Sequence, residues 1–209
     1  MKYKDIFLIF VFCFFIFTCS GRTYYTINID ALSYMNEEDL ISSFSIPFNE
    51  GINIYLLPGV QVGTTNEDPD EDMQKGLLIT FSEPEQQNPE IQVELNLLST
   101  FFNVDDIDNF TGGSIQIFFS PATSLNIYTE GELVSEVLIQ SILAGENKEV
   151  ETILLLDTKS EQYDIIKQGT FRIGIKINLD PNFDQPVDMK YIAESLYLKI
   201  ITRPFSLIP

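Results

Sequence analysis

The sequence of 209 residues lacks two residue types altogether, because it contains no histidine and no tryptophan. Histidine is the commonest general base and metal ligand, so its absence excludes Ser-His and Cys-His nucleophile pairs. With two cysteines and no histidine, the chain cannot supply the ligands of a zinc or redox site built from those residues. No Gly-x-Ser-x-Gly elbow, phosphate-binding glycine loop or Ser-x-x-Lys box is present. We therefore expect a protein that is not an enzyme.

Basic residues are scarce, since 12 Lys and Arg stand against 31 Asp and Glu and give a net charge of −19. A surface of this sign repels phosphate backbones, so we expect no nucleic-acid partner. It is also repelled by anionic lipid headgroups, although salt screens this repulsion beyond about 8 Å. Attachment to a membrane would therefore need something other than basic side chains.

The N-terminal residues have the pattern of an export signal. Lys2 and Lys4 precede an apolar run of 12 residues from Ile6 to Phe17, which gives way to the small polar stretch 18–21. A helix needs about 20 apolar residues to cross a bilayer, so this run is too short to span one. A positive start, a short apolar middle and a small-residue exit predict a signal peptide that is removed.

The end of this signal, Ile16-Phe17-Thr18-Cys19, resembles the lipobox of bacterial lipoproteins. The common pattern has leucine three places before the cysteine and glycine or alanine directly before it, so the match is incomplete. The resemblance implies that Cys19 is diacylated and becomes the first residue of the mature protein. Two alternatives stay open, namely a plain secretory signal that ends near Cys19 and an uncleaved anchor. The rest of the chain resembles no family that we recognise.

Cysteine chemistry supports lipidation independently. Cys13 leaves with the signal, so Cys19 would be the single thiol of the mature chain and could form no internal disulfide. Each buried methylene contributes roughly 0.8 kcal/mol, so two or three acyl chains hold a protein stably on a membrane. Ser20 is not the aspartate that retains enteric lipoproteins in the inner membrane, which by resemblance favours the outer membrane. Residues 20–23 span at most about 14 Å, which predicts a domain close to the lipid.

Apolar residues alternate with polar ones in many short segments of the chain. Successive side chains of a strand point to opposite faces, so this period of two predicts strands that are buried on one face. Aromatic and β-branched residues dominate these segments, as strands prefer. The predicted inward residues are Tyr25, Ile27 and Ile29; Ile52, Ile54 and Leu56; Leu77, Ile79 and Phe81; Ile91, Val93, Leu95 and Leu97; Ile115, Ile117 and Phe119; Phe171, Ile173, Ile175, Ile177 and Leu179; and Leu196, Leu198 and Ile200.

Turn signals such as Pro58-Gly59 and Gly112-Gly113 separate these segments. Because no repeated helical crossover lies between them, the pattern predicts an all-β protein. We expect a single antiparallel β-sandwich of nine or ten strands, either immunoglobulin-like or jelly-roll-like. The chain would divide into a signal peptide at 1–18, a short lipidated tether at 19–23 and one β-sandwich domain at 24–209.

One short helix is predicted after Ser160, which is a capping residue, and before Gly169, which is a stop. In this helix Tyr163 and Ile166 would face the core.

A second helical turn is predicted at Asn36, because Asp39 follows three places on. It would bury Leu40, Ile41 and Phe44.

Two acidic clusters are candidate metal sites. Residues 67–72 hold five carboxylates in six positions, and hard oxygen ligands of this kind bind Ca²⁺. Asp68, Asp70 and Asp72 fit the first, third and fifth places of an EF-hand loop, but its glycine and glutamate positions are not matched. We therefore interpret this segment, and a second cluster at 105–109, as solvated loops and keep weak Ca²⁺ binding as a hypothesis. A rise in melting temperature with millimolar Ca²⁺ is its test.

Apolar residues at consecutive positions in 77–79, 117–119 and 153–156 indicate strands that are covered on both faces or lie at an interface. We interpret the chain as a lipid-anchored cell-envelope protein with a non-catalytic binding or structural role, whose partner is another envelope macromolecule. The alternative is a carrier or binder of a small lipid or glycan, held between the sheets or stacked on tyrosines. A filled core with an apolar surface patch favours the first interpretation, and an enclosed pocket favours the second.

Overall fold

The computed structural model describes residues 25–46, 50–81, 90–103, 109–111, 113–138, 141–143, 146–179 and 187–203. These residues form thirteen strands, β1 to β13, in a five-stranded sheet, a six-stranded sheet and a two-stranded ribbon. Sheet 1 contains β1 (Tyr25–Asp30), β2 (Ile41–Ile46), β6 (Glu90–Asn103), β11 (Glu146–Leu156) and β13 (Val187–Arg203). Sheet 2 contains β3 (Ile52–Leu56), β4 (Val60–Thr64), β5 (Leu77–Thr80), β8 (Gly113–Pro121), β9 (Glu132–Leu138) and β12 (Thr170–Leu179). The ribbon pairs β7 (Asn109–Thr111) with β10 (Ser141–Leu143).

Each sheet is organised around one long strand, and every pairing is antiparallel. In sheet 1, β13 pairs with β6 on one side and with β2 and β1, end to end, on the other, while β11 pairs with β6. In sheet 2, β12 pairs with β8 on one side and with β3 and β5 on the other, while β4 and β9 lie at the edges. The strands outnumber the nine or ten predicted because short ones such as β4, β7 and β10 are too brief for a clear alternation.

The inward faces of the two sheets form one core, which confirms the prediction of an all-β sandwich. Val93 and Leu95 of sheet 1 and Ile54, Ile117 and Ile173 of sheet 2 are at most 1% exposed and belong to one hydrophobic cluster. Burying such side chains in register is the main stabilising contribution to a fold of this kind. The period of two in the sequence therefore located the core correctly.

The helices are short, and the predicted one is present. α1 is Glu71–Lys75, α2 is Ile127–Glu130 and α3 is Glu161–Lys167, and two 3-10 helices occupy Ala31–Tyr34 and Glu37–Leu40. At the start of α3 the Ser160 hydroxyl accepts a hydrogen bond from the Tyr163 amide at 3.2 Å, which caps the helix. Tyr163 and Ile166 are buried, as predicted. Across the described ranges, no helix has the length and apolar character needed to cross a membrane.

The turn predicted at Asn36 is the second 3-10 helix, but one of its predicted core residues is wrong. Leu40 is half-buried and Phe44 packs against the core, whereas Ile41 is 46% exposed. Ile41 and Phe44 both lie on β2 and are three positions apart. Because side chains alternate along a strand, an odd separation sends them to opposite faces.

The core of sheet 1 contains a buried hydroxyl that a substitution can test. Tyr191 is fully buried, its ring lies 4.9 Å from that of Phe101, and among the described residues its hydroxyl has the Ser99 hydroxyl as a neighbour but no hydrogen bond of normal geometry. Burial raises the pKa of Tyr191, with the neighbouring Ser99 hydroxyl opposing that effect. An unsatisfied buried polar group costs roughly 1–3 kcal/mol, so Tyr191→Phe is expected to raise the free energy of unfolding by about 1 kcal/mol in urea titrations. A loss of stability in this variant would show that the hydroxyl makes a stabilising hydrogen bond.

Candidate binding face

A sandwich has two outer faces, and in this protein they differ. Part of the outer face of sheet 2 is covered by α1, by α2 and by the segments that lead into them. The Tyr128 ring of α2 lies 4.9 Å from the ring of Tyr55 and 5.4 Å from that of Phe118, both on outward positions of the sheet. Ile127 is fully buried, and Tyr55 and Phe118 are 4% and 8% exposed. Burial raises the pKa of Tyr128 well above its ordinary value.

A single arginine ties this cover to the sheet. Arg172 of β12 donates hydrogen bonds to the carbonyl oxygens of Ala122 at 2.9 Å and Gly76 at 3.2 Å, one on each of the two covering segments. Asn126 caps α2 by accepting from the Tyr128 amide at 3.0 Å. The part of the outer face of sheet 2 around Tyr55, Phe118 and Arg172 is therefore a second small core, while Leu78, Leu133 and Leu138 of the same sheet stay exposed.

The cover also explains a glycine in the middle of a strand. A Cβ atom at Gly174 would lie 2.9 Å from the Ile127 side chain and 3.3 Å from the Tyr128 ring. Such overpacking costs roughly 1–3 kcal/mol, so Gly174→Ala is expected to lower the free energy of unfolding by that amount in urea titrations. Gly59→Ala is the matched control, because its added methyl group would meet Met73 at an ordinary 3.9 Å. Equal stability of the two variants would contradict the close packing of α2 on β12.

The acidic segment 67–72 belongs to this cover. The Glu67 carbonyl oxygen accepts from the Tyr55 hydroxyl at 3.5 Å, and the Asp70 amide donates to the Gln61 side chain at 2.8 Å. In α1 the Lys75 ammonium lies 2.7 Å from Glu71, and this hydrogen bond lowers the pKa of Glu71. The acidic pattern predicts a solvated loop here, whereas the structure makes part of the segment a covering helix.

The three candidate calcium ligands, Asp68, Asp70 and Asp72, are exposed. Among the described residues, no group of three or more acidic or cysteine side chains is arranged to hold a metal ion. The second acidic cluster, 105–109, and the lipidation residue Cys19 lie outside the residues whose side chains are described. Weak Ca²⁺ binding stays a prediction, and the melting temperature measured with millimolar Ca²⁺ tests it.

The outer face of sheet 1 is open to solvent, and we call it the open face. The register aligns its outward residues in rows that cross β1, β13, β6 and β11 in turn. One row is Thr26, Ile201, Gln92 and Leu155, and the next is Asn28, Lys199, Glu94 and Ile153. Residues on these strands that alternate with them, such as Val93 and Ile200, lie in the core. The open face therefore brings together side chains that are far apart in the sequence.

A depression of about 390 Å³, with a mostly apolar lining edged by polar groups, lies on the open face where β1, β13 and β6 run side by side. Asn28, Glu94, Asn96, Tyr197 and Lys199 line it, and Tyr197 is 53% exposed. The Lys199 ammonium lies 2.6 Å from one Glu94 oxygen, and the Gln92 amide donates to the other at 2.9 Å. An exposed aromatic ring beside amide, carboxylate and ammonium groups is a surface suited to binding a polar partner.

Apolar side chains meet at one corner of the open face, where edge strand β11 approaches edge strand β9. Val134, Ile153, Leu155 and Leu156, which we call the apolar corner, line a groove of about 320 Å³ together with the polar residues Asp157, Ser160 and Gln162. Val134 and Leu156 pack partly against the core, so Ile153 and Leu155 are the exposed residues of this corner. Ile153 is 56% exposed and Leu155 is 79% exposed. Single exposed apolar side chains are ordinary, but two neighbouring ones on the same strand face indicate a contact surface.

The segments with consecutive apolar residues, 77–79, 117–119 and 153–156, differ in how far their side chains are covered. Phe118 is covered on the outer face of sheet 2, as predicted. Coverage on both faces is wrong for Leu78, which is 48% exposed, and for Ile153 and Leu155. Because β11 lies at the edge of sheet 1, no described element covers its outward side chains, and the sequence does not reveal this edge position. The other predicted possibility for 153–156, an interface, is compatible with this exposure.

Comparisons with known proteins give structural similarity only. No protein-family model matches the chain, and no curated protein matches its sequence. The chain is similar to a protein in the structure of infectious bursal disease virus, with 11% identity and a TM-score of 0.47 over 88% of this chain and 33% of that one. It is also similar to a bacterial lipoprotein from Bacteroides thetaiotaomicron, with 9% identity and a TM-score of 0.40 over 88% of this chain and 91% of that one. The chain thus spans about a third of the viral chain. These values assign neither a family nor a function.

Proposed function

We propose that the chain is a lipid-anchored cell-envelope protein that binds another envelope macromolecule without catalysing a reaction. In this proposal Cys19 is acylated after removal of residues 1–18 and holds the domain on the outer membrane. The observation that carries the binding role is the contrast between the two outer faces. Sheet 2 is partly covered by the protein's own helices, while sheet 1 presents an exposed Tyr197 beside a depression that is edged by polar groups.

The filled core supports a binding module over a carrier with a ligand between its sheets. Most described inward residues of the central strands β6, β8, β12 and β13 are nearly or fully buried in one cluster, and inward residues of edge strands such as Ile27 and Val62 pack against it. The two depressions described above both lie at the surface, where a partner can reach them without opening the sandwich. An interface needs such a surface, with an aromatic residue at its centre and polar groups around it.

Site-specific photo-crosslinking in whole cells tests this proposal. A photoreactive phenylalanine analogue in place of Tyr197 is expected to capture a discrete envelope component, identified by mass spectrometry. The same analogue in place of Leu78 is the control, since Leu78 is 48% exposed but lies on sheet 2. Absence of an adduct at position 197, or the same adduct at both positions, would contradict a binding role for the open face.

A second candidate function is the binding of a small glycan at the depression on the open face. The exposed ring of Tyr197 could stack on a sugar, while Asn28 and the Lys199–Glu94 pair could bind its hydroxyl groups. Calorimetric titration with soluble cell-wall glycan fragments tests this function. Binding by the wild-type protein that is lost in Tyr197→Ala would favour it, and no heat of binding in the wild-type protein would exclude those glycans.

A further inference from the structure

We infer that the apolar corner (Val134, Ile153, Leu155 and Leu156) rests on the zwitterionic lipid surface of the membrane that carries the anchor. This inference depends on the proposed acylation of Cys19. It adds an orientation to that proposal, because a domain held only by a tether could present any side to the membrane.

The register places the apolar corner at the end of the sandwich where the chain enters from the anchor. Tyr25, the first residue of β1, is in register with Thr202, which is in register with Ile91, which is in register with Leu156. These four strands span three inter-strand spacings, or about 14 Å. Leu156 therefore lies at the same height in the sheet as the entry point of the chain.

The tether is short enough to bring this end of the sandwich to the lipid. Six residue steps join Cys19 to Tyr25, and a fully extended chain of that length reaches at most about 21 Å. This reach exceeds the separation of about 14 Å between β1 and β11. A modest tilt of the domain about β1 is therefore sufficient to bring Leu155 into contact with the membrane surface.

The exposure of the apolar corner and the charge near it determine which kind of lipid surface it fits. Leu155 and Ile153 are 79% and 56% exposed, and burying a side chain of this size favours the docked orientation by roughly tenfold or more. Asp157 lines the same groove, and Glu132 and Glu161 start the neighbouring β9 and α3, so the charge near this corner is acidic. A hydrogen bond with Glu161 raises the pKa of Glu132. Acidic groups disfavour an anionic surface, so the corner fits headgroups without net charge.

Docking through the corner would leave the depression beside Tyr197 free for a partner. Tyr197 lies four positions before Ile201 on β13, and Ile201 shares a row with Leu155. Four residues of a strand extend about 13 Å, so the Tyr197 ring would stand above the lipid surface. The orientation is thus compatible with the proposed binding role of the open face.

The chain contains no tryptophan, so the emission of a single introduced tryptophan can be followed without emission from any other tryptophan. Full-length Leu155→Trp protein, processed in cells and purified from their membranes, is reconstituted in phosphatidylcholine vesicles that contain brominated acyl chains. Phe102→Trp is the matched control, because Phe102 is 39% exposed on the same face and lies ten positions beyond Gln92, about 33 Å from the Leu155 row.

We expect the tryptophan emission of the Leu155→Trp protein to shift to shorter wavelength and to be quenched by bromine. The emission of the Phe102→Trp protein is expected to show neither effect. Replacing part of the phosphatidylcholine by phosphatidylglycerol is expected to weaken the quenching in the Leu155→Trp protein, because the charge near the corner is acidic.

The results of this experiment distinguish failure of the docked corner from failure of the proposed lipid anchoring. If the Leu155→Trp protein floats with the vesicles but is not quenched, or if both variants are quenched equally, the docked corner is wrong while lipid anchoring stands. If the tryptophan of the Leu155→Trp protein becomes protected only when an envelope extract is added, the corner binds a macromolecule and the inference is also wrong. If the protein does not float with the vesicles, anchoring itself fails and the inference falls with it.

Discussion

Phe171→Ala is expected to lower the free energy of unfolding by roughly 3–5 kcal/mol, which is the largest loss of stability that we predict. The Phe171 side chain is fully buried, and its ring lies 5.3 Å from that of Phe119 and 6.2 Å from that of Phe81. It stands on β12, the strand that pairs on both sides in sheet 2. The substitution removes the ring and leaves a cavity that these neighbours can fill only in part. Urea unfolding followed by circular dichroism measures the change.

Leu125→Ala is the matched control for Phe171→Ala. Leu125 is 69% exposed, so its truncation is expected to change the free energy of unfolding by no more than about 0.5 kcal/mol. A loss below about 1 kcal/mol in Phe171→Ala would contradict the tight packing of the two sheets, because cavity formation in a close-packed core costs more than that.

Cys19→Ala is expected to move the protein from the membrane fraction to the aqueous fraction. Each methylene of an acyl chain contributes roughly 0.8 kcal/mol to membrane binding, so removing two or three chains abolishes attachment. The acidic chain has few basic side chains to replace them. Detergent phase partitioning of cell extracts measures the distribution. Ser20→Ala is the control, because it leaves the thiol in place and is expected to stay with the membrane.

Continued partitioning of Cys19→Ala with membranes would show that an uncleaved anchor or another contact holds the protein. Equal release of Ser20→Ala would show that the substitutions act on export and not on acylation.

The inner faces of the sheets could be predicted from the sequence, and the outer faces could not. The alternation of apolar and polar residues along a strand shows which residues share a face. Runs such as Phe171 to Leu179 identified the core because the inward faces of both sheets meet in one continuous cluster. What covers the other face depends on distant segments. Tyr55 is buried because Tyr128 packs against its ring and the Glu67 carbonyl accepts from its hydroxyl, and nothing in the pattern around β3 reveals this cover.

The open face could not be predicted because it depends on strand order. Asn28, Lys199 and Glu94 become neighbours only when β1 pairs with β13 and β13 pairs with β6. These pairings join residues far apart in the chain, and several orders of antiparallel strands satisfy the same alternation. Edge positions follow from the same order, so the exposure of Ile153 and Leu155 was hidden as well. The sequence did offer one clue, since four consecutive apolar residues at 153–156 exceed what a half-buried strand requires.

Intact-mass measurement of the natural protein, extracted from cell membranes with detergent, tests the central claim of lipid anchoring. We expect a polypeptide that starts at Cys19 and carries the added mass of two or three acyl chains on that residue. An unmodified thiol at position 19, or a chain that still contains residues 1–18, would contradict it.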